Sequence, residues 1–446
     1  MGRLFGTDGV RGVANSELTP ELAFRLGRAG AYVLTSRRPG ARIVVGKDTR
    51  ISGDMLETAL VSGILSMGVD ALRLGVISTP GVAYLTKHLR ADAGVMISAS
   101  HNPVADNGIK FFGGDGFKLL DETEDRIEQL LEDGARDLPR PTGDKIGRMY
   151  DEPAVETYIR FLLSTVQVRF DGLHIVLDCA NGAASAIAPE VFRRLGATVT
   201  VIHAMPDGVN INVGCGSTHP HIVQRAVLAH GADVGLSFDG DADRLIAVDA
   251  SGEVIDGDFI MAICARAMKA KGLLQGNKLV ATVMSNLGFV KAMEAEGIDV
   301  LRTAVGDRYV MERMREDNAV LGGEQSGHII FLNHTTTGDG ILTAVQLVQV
   351  MVESQQPLSQ LRQVMKRYPQ LLENVQVRDK RAWRENERIQ NALRAAEEAL
   401  GESGRVLVRE SGTEQLVRVM VEGPDDKLLR KVCGEIVKVV EAELGV

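Results

Sequence analysis

Across residues 1–350 the chain repeats one pattern three times: apolar strand-like runs alternate with helical periodicity, and a last strand runs into a polar loop. Runs at 42–46, 71–75 and 94–97 alternate with helices near 20–36 and 53–68, and the last run opens into Ser98-Ala99-Ser100-His101-Asn102-Pro103. Runs at 173–178, 198–203 and 234–238 lead into Asp239-Gly240-Asp241-Ala242-Asp243-Arg244. Runs at 278–284, 299–304 and near 319–321 lead into Gly322-Gly323-Glu324-Gln325-Ser326-Gly327-His328. Strands alternating with helical stretches imply α/β units, and ligands of such sheets bind at the carboxyl ends of the strands. The economical fold is three related α/β domains around a central cleft, at 1–152, 153–254 and 255–368, each giving one loop to the cleft. A turn-rich stretch at 138–143 marks the first boundary. The passage from Gln355-Gln356-Pro357 to Tyr368-Pro369 leads to a C-terminal α+β domain, 369–446, that reads β-α-β-β-α.

The carboxylates Asp239, Asp241 and Asp243 stand at every second position. On an extended loop that spacing turns three side chains one way. A hard divalent cation wants several oxygen ligands, and three like charges this close repel without one. An EF-hand also starts D-x-D-x-D but needs glycine sixth and an acid twelfth, where this chain has Arg244 and Ala250. An aspartyl-phosphate nucleophile and a plain solvated turn are the other readings. Arg244 is then placed to touch a substrate or a phosphate.

Other loops carry weaker signals. Ser100 follows a strand, where a serine caps a helix, closes a turn or acts as a nucleophile. His101 alone reads first as a hydrogen-bonded structural histidine. No G-x-S-x-G elbow occurs, against an α/β-hydrolase serine. Glu324, Ser326 and His328 mix donors and acceptors, which suits recognition of hydroxyl groups or an ordinary glycine-rich turn. Arg409-Glu410-Ser411-Gly412-Thr413-Glu414-Gln415 and Arg418 sit in a hairpin. Two guanidiniums, two hydroxyls and exposed backbone N–H groups can cradle a phosphate dianion. Gly6-Thr7-Asp8-Gly9-Val10-Arg11-Gly12 follows no strand-like run and is no dinucleotide fingerprint, and no Walker A loop is present.

The pieces GTDGVRG, SASHNP, DGDADR, GEQSGH and RESGTE, in this order from residue 3 to about 423, resemble the α-D-phosphohexomutases. Within that superfamily the run 207–219 and Gln325 are most similar to the phosphoglucosamine mutases. The resemblance implies a phosphoryl group carried by Ser100. It implies one Mg2+ per active site, held by Asp239, Asp241, Asp243 and an oxygen of the Ser100 phosphate. Substrate contacts fall to Arg244, Glu324, Ser326, Arg409, Ser411, Gly412, Thr413 and Arg418. His101, Lys110 and His328 become candidates for proton transfer, with Lys110 alternatively only stabilising charge, and Arg11 touches the phosphoserine. A sugar phosphate is then isomerised through glucosamine 1,6-bisphosphate, supplying UDP-N-acetylglucosamine and cell-wall precursors. A phosphomannomutase or phosphoglucomutase on the same scaffold and a Mg2+-dependent sugar phosphatase are the alternatives. One departure exists: the family loop R-P-S-G-T-E-P has Glu410 and Gln415 here at its two proline positions.

Composition fits a small-molecule enzyme. The net charge of −9 argues against a nucleic-acid partner. Cys179, Cys215, Cys264 and Cys433 are widely spaced, form no metal motif and read as reduced cytoplasmic thiols. No apolar run of membrane-spanning length or N-terminal signal region is evident, so no membrane partner is expected. The sequence leaves the oligomeric state open, a homodimer included.

Overall fold

The computed structural model describes residues 4–6, 8–36, 38–132, 138–411 and 414–446. They fall into two compact units. The larger holds Met1–Met284 and Gly297–Val364; the smaller holds Ser285–Glu296 and Met365–Val446.

The larger unit contains three sheets built on one plan. In the first, strands Asp70–Val76, Arg42–Lys47 and Ala93–Ile97 run parallel. The chain then loops over and returns antiparallel as Asp106–Gly113, with Ile97 opposite Ile109. Strands Val10–Val13 and Met149–Asp151 flank this sheet. In the second, Thr198–Ile202, His174–Asp178 and Val234–Phe238 are parallel, and Leu245–Asp249 returns antiparallel. In the third, Asp299–Thr303, Lys278–Thr282 and Leu321–Gly323 are parallel and Ile329–Phe331 returns. The three loops that the sequence placed at the cleft, at 98–103, 239–244 and 322–328, each join the last parallel strand of a sheet to its antiparallel partner.

The central strands read as unbroken apolar runs because both faces are covered. Every residue of Ala93–Ile97, Val234–Phe238 and Leu245–Asp249 is buried. Each Val or Ile so buried stabilises the fold by roughly 1.5–3 kcal/mol. Helix Pro20–Leu34 starts where Thr19 Oγ1 accepts the N–H of Leu22 at 3.2 Å and proline takes the first turn. It crosses helix Ser52–Leu65 closely, and a Cβ on Gly27 would lie 2.2 Å from the Leu60 carbonyl oxygen. A Cβ on Gly63 would lie 2.1 Å from that of Phe24. Only glycine permits this approach.

The smaller unit is an antiparallel sheet of Gln370–Gln376, Leu416–Glu422 and Arg405–Glu410, with helices Glu387–Leu400 and Asp426–Leu444. Its core holds Val417, Val419 and Val421 with Leu429, Val432 and Ile436. Among the described residues no helix is long and apolar enough to cross a membrane.

Candidate active site

Ser100 sits on the loop between Ala93–Ile97 and Asp106–Gly113 with φ +52°, a left-handed conformation costly for a side-chain-bearing residue. The surroundings impose it. Ser98 Oγ donates to Asp48 Oδ2 (2.7 Å) and accepts the Ser100 N–H (2.9 Å). From below, Arg50 Nη2 donates to the carbonyls of Ser100 and Asn102 (2.9 Å each) and Arg50 Nη1 to that of Pro103 (2.6 Å). Arg50 is itself oriented by Asp48, Nε to Oδ2 at 3.0 Å, with both side chains fully buried. Asn212, from the second sheet's segment, donates its amide to the Ser100 carbonyl at 2.8 Å. The turn is thus held by Asp48, Arg50, Ser98 and Asn212; Ser98 and Asn212 lie inside runs read from the sequence, but none of the four was given a role there. The result is a buried hydroxyl aimed at one point: Ser100 Oγ donates to Asp239 Oδ2 at 2.5 Å.

That point is the three-carboxylate cluster. One oxygen each of Asp239, Asp241 and Asp243 lie within 4.8 Å of one another, all buried. A fully extended loop would separate the first and third of them by about 13 Å. Convergence instead requires a bend, supplied by Ala242 at φ +58°. Burial, and then the charges of Asp243 and Asp241, push Asp239 well above the usual carboxylate range. Burial also opposes charge on Asp243, but His328, Lys110 and Arg244 outweigh it and hold that carboxyl low. Asp241 Oδ2 accepts Thr79 Oγ1 (2.6 Å) and Lys110 Nζ (2.8 Å). Asp241 Oδ1 and Asp243 Oδ1 are buried and accept no hydrogen bond among the described residues. Orphaned buried carboxylate oxygens beside like charges are what a hard divalent cation would satisfy, so the donor set fits magnesium.

Cations frame this cluster. Lys110, buried on Asp106–Gly113, also reaches Asp8 Oδ2 at 2.9 Å. Burial lowers its pKa, but Asp241 and Asp8 more than reverse this, so it stays an ammonium at any working pH. That favours charge stabilisation over proton transfer. Arg11 pairs with Asp8, and Lys118 joins Asp8 to Asp307. His101 lies 3.3 Å from Ser100 Oγ through Nδ1. Burial, then Arg244 and Arg11, drop its pKa to about 4, leaving it neutral near pH 7. His328 is buried, with Nδ1 3.4 Å from Asp243 Oδ2. Burial lowers its pKa, but Asp243 and then Asp307 together more than reverse this. The Gly338 N–H donates to Nε2 at 3.1 Å, so the ring proton stands on Nδ1, facing Asp243.

These groups open on a cavity of about 480 Å³ lined by Asp8, Arg11, His101, Asp243, Arg244, Asp307, Glu324 and His328, a size that suits a sugar phosphate. Glu324 Oε1 accepts the Gly306 N–H at 3.2 Å there. Ser326 is exposed at the tip of its turn and does not line this cavity. Lys118 and Asp307 went unnamed in the sequence, and Asp8 was given no role although it lies inside the GTDGVRG run.

In the smaller unit, Arg409 and Arg418 stand directly opposite each other on paired strands. Burial, then Arg418, lower the pKa of Arg409. Like charges so placed are unfavourable, and Arg418 Nε is buried with no hydrogen-bond partner among the described residues. An anion would resolve both. Ser411 is buried, its carbonyl held by Lys380 Nζ at 2.7 Å, another residue the sequence did not flag. Gly412 and Thr413 lie outside the described residues. The two absent prolines have substitutes: Glu410 pairs with Arg384 at 3.0 Å, and Gln415 Nε2 donates to the Arg378 carbonyl at 2.9 Å.

Comparison with known proteins covers nearly the whole chain. Four models of the phosphoglucomutase/phosphomannomutase family match. They are alpha/beta/alpha domain I at 2–137, domain II at 156–252, domain III at 256–368 and the C-terminal domain at 372–439. A phosphoglucosamine mutase of Brevibacillus brevis is 59% identical over 447 residues, covering 100% of each chain. One of Shouchella clausii is 57% identical over 446 residues with the same coverage. The crystal structure of a phosphoglucomutase/phosphomannomutase family protein from Burkholderia thailandensis superposes with TM-score 0.84 at 24% identity, covering 100% of this chain and 99% of that one.

Proposed function

The chain belongs to the phosphoglucosamine mutases of the phosphoglucomutase/phosphomannomutase family, and on that premise we propose that it interconverts glucosamine 6-phosphate and glucosamine 1-phosphate through a phosphoserine at Ser100. The observation that carries the residue assignment is the 2.5 Å contact of Ser100 Oγ with Asp239 inside a buried, partly unsatisfied carboxylate cluster. Asp239, Asp241 and Asp243 would hold one Mg2+ together with an oxygen of the Ser100 phosphate. Bound there, the cation supplies charge neutralisation to the transferring phosphoryl oxygens.

The chain's own groups do the rest. The bond between phosphorus and Ser100 Oγ breaks as one forms to the sugar 1-hydroxyl, and the proton that hydroxyl loses is the one Ser100 regains. Lys110 and Arg11 lie against the cluster and offset the charge that moves between the two oxygens. Arg244 and Glu324, which both line the cavity, bind and orient the sugar; Ser326, on the exposed turn after Glu324, meets the part of the substrate that extends beyond the cavity. Arg409, Ser411, Gly412, Thr413 and Arg418 grip the phosphate that is not being transferred. The glucosamine 1,6-bisphosphate then turns over, and its other phosphate is returned to Ser100. His101, neutral and 3.3 Å from Ser100 Oγ, is the best-placed proton carrier. His328 instead holds Asp243.

The test is a panel of glucosamine, glucose and mannose 6-phosphates with a trace of matching bisphosphate, before and after chelator treatment. Isomerisation of the glucosamine ester, lost with chelator and restored by Mg2+, is the expected result. Equal or better turnover of glucose or mannose esters would favour the wider phosphohexomutase reading. Net release of inorganic phosphate would mean a phosphatase. Intact mass should show one phosphate on the parent protein and none on Ser100→Ala.

A further inference from the structure

Cys215 belongs to no metal motif in sequence, yet folding seats it against a histidine and a carboxylate. Asp178 ends the strand His174–Asp178, His203 directly follows the neighbouring strand Thr198–Ile202, and Cys215 lies in the loop before helix Pro220–His230. A carboxylate oxygen, a ring nitrogen and the thiol sulfur lie within 4.8 Å of one another. We propose that Asp178, His203 and Cys215 form a second metal site, for a thiophilic divalent cation of the zinc class, separate from the carboxylate cluster beside Ser100.

The donor set argues for it. Sulfur, imidazole and carboxylate together select zinc-class ions, whereas magnesium takes oxygen alone. Atoms bound to one zinc stand roughly 3.3–3.8 Å apart, given bonds of about 2.0–2.3 Å, so the three groups need close by only about 1 Å. The backbone also favours it. His203 (φ +48°), Ala180 (φ +54°) and Asn181 (φ +48°) are all left-handed non-glycine residues around Asp178. Such strain persists where its surroundings over-determine it, and it clusters at functional sites. It turns the His203 ring onto Asp178, Nδ1 to Oδ1 at 3.1 Å.

Asp178 Oδ2 accepts the Gly216 N–H at 2.9 Å and keeps a second lone pair. The His203 side chain is 33% exposed, which gives an ion a way in and leaves a fourth position for water. Binding releases the thiol proton to solvent and shifts the His203 ring proton to Nε2, so that Nδ1 presents its lone pair. Three residues before Cys215 stands Asn212, whose amide holds the Ser100 carbonyl. An ion at this site would brace the same loop.

Cobalt(II) is the probe, added to the full-length, chelator-stripped protein with excess Mg2+ present to fill the carboxylate cluster. A cobalt–thiolate bond gives a near-ultraviolet charge-transfer band that oxygen ligands cannot. We expect such a band at one cobalt per chain, displaced by zinc, abolished in Cys215→Ser and retained in Asp241→Asn. No sulfur band at saturating cobalt, or one that survives Cys215→Ser, overturns the proposal. If Cys215→Ser fails to fold by circular dichroism, His203→Gln at the half-exposed ligand decides: cobalt affinity should fall at least about tenfold. Unchanged affinity overturns the site.

Discussion

Ser100 holds its hydroxyl against Asp239 from a backbone conformation it would not choose. A left-handed serine costs roughly 1–2 kcal/mol, and the cost is met by three carbonyls that Arg50 holds from a buried ion pair with Asp48. Arg50→Lys keeps the charge and the pairing to Asp48 but cannot reach three carbonyls with one ammonium. The Ser100 hydroxyl should drift from Asp239, so kcat falls roughly 10- to 100-fold while KM changes little. Steady-state kinetics on the folded variant check this, and a KM effect alone would contradict the clamp. A second residue makes a pH statement. Asp339, buried at a helix start and accepting Tyr158 Oη at 2.6 Å, is raised from 3.8 to about 6, chiefly by burial. The folded protein therefore holds a proton that the unfolded chain has released, so this group's stabilisation is full below about pH 3.8 and is lost as pH climbs through 6. Asp339→Asn has no such loss. Its stability relative to the parent should rise by about 2–3 kcal/mol between pH 4 and 6.5, read from urea midpoints. Ser100 and the alternating Asp residues were legible because their chemistry is written in adjacent positions. The roles of Arg50 and Asn212 were not, because what they bond is main-chain oxygen, which any sequence supplies; nor was that of Asp48, which acts through Arg50 and Ser98.

At the level of elements, the strand runs that end at Ile97, Phe238 and Gly323 were visible as apolar stretches bounded by polar loops. Their antiparallel partners were not singled out. The strand Asp106–Gly113 opens on Asp-Asn-Gly, which reads as turn chemistry until the pairing of Ile109 with Ile97 overrides it. The helix pair Pro20–Leu34 and Ser52–Leu65 was legible, but not how closely it crosses. Gly63→Ala should gain up to about 1 kcal/mol of helix propensity and lose more to the 2.1 Å approach to Phe24 O, for a net loss of about 1–3 kcal/mol. Gly434→Ala, with nothing within 4 Å of its Cβ, should instead stabilise by up to about 1 kcal/mol. Thermal unfolding of the two variants should move in opposite directions. The phosphate hairpin makes a related point. Prolines stiffen a loop by fixing φ; here the ion pair of Glu410 with Arg384 and the bond from Gln415 to Arg378 tether the two proline positions through side chains.

Across the whole molecule the least legible bonds are the long ones. Lys118 joins Asp8 to Asp307, residues 110 and 189 positions away, and no local pattern announces such partners. In the smaller unit, the opposed Arg409 and Arg418 predict a shared phosphate grip. Arg409→Ala should weaken the 6-phosphate and the 1-phosphate alike, by about 2–3 kcal/mol or roughly 30- to 150-fold. Forward and reverse kinetics test it, with escaped bisphosphate counted per turnover, and loss in one direction only would demand two separate grips. The recurring strand–loop–return plan has a consequence for descent. Each loop is pinned at both ends by paired strands, so mutation can redraw one while the other two keep their places. On the roles proposed above, a lineage can then exchange the sugar it accepts at residues 324–328 without relearning how to move a phosphoryl group at Ser100.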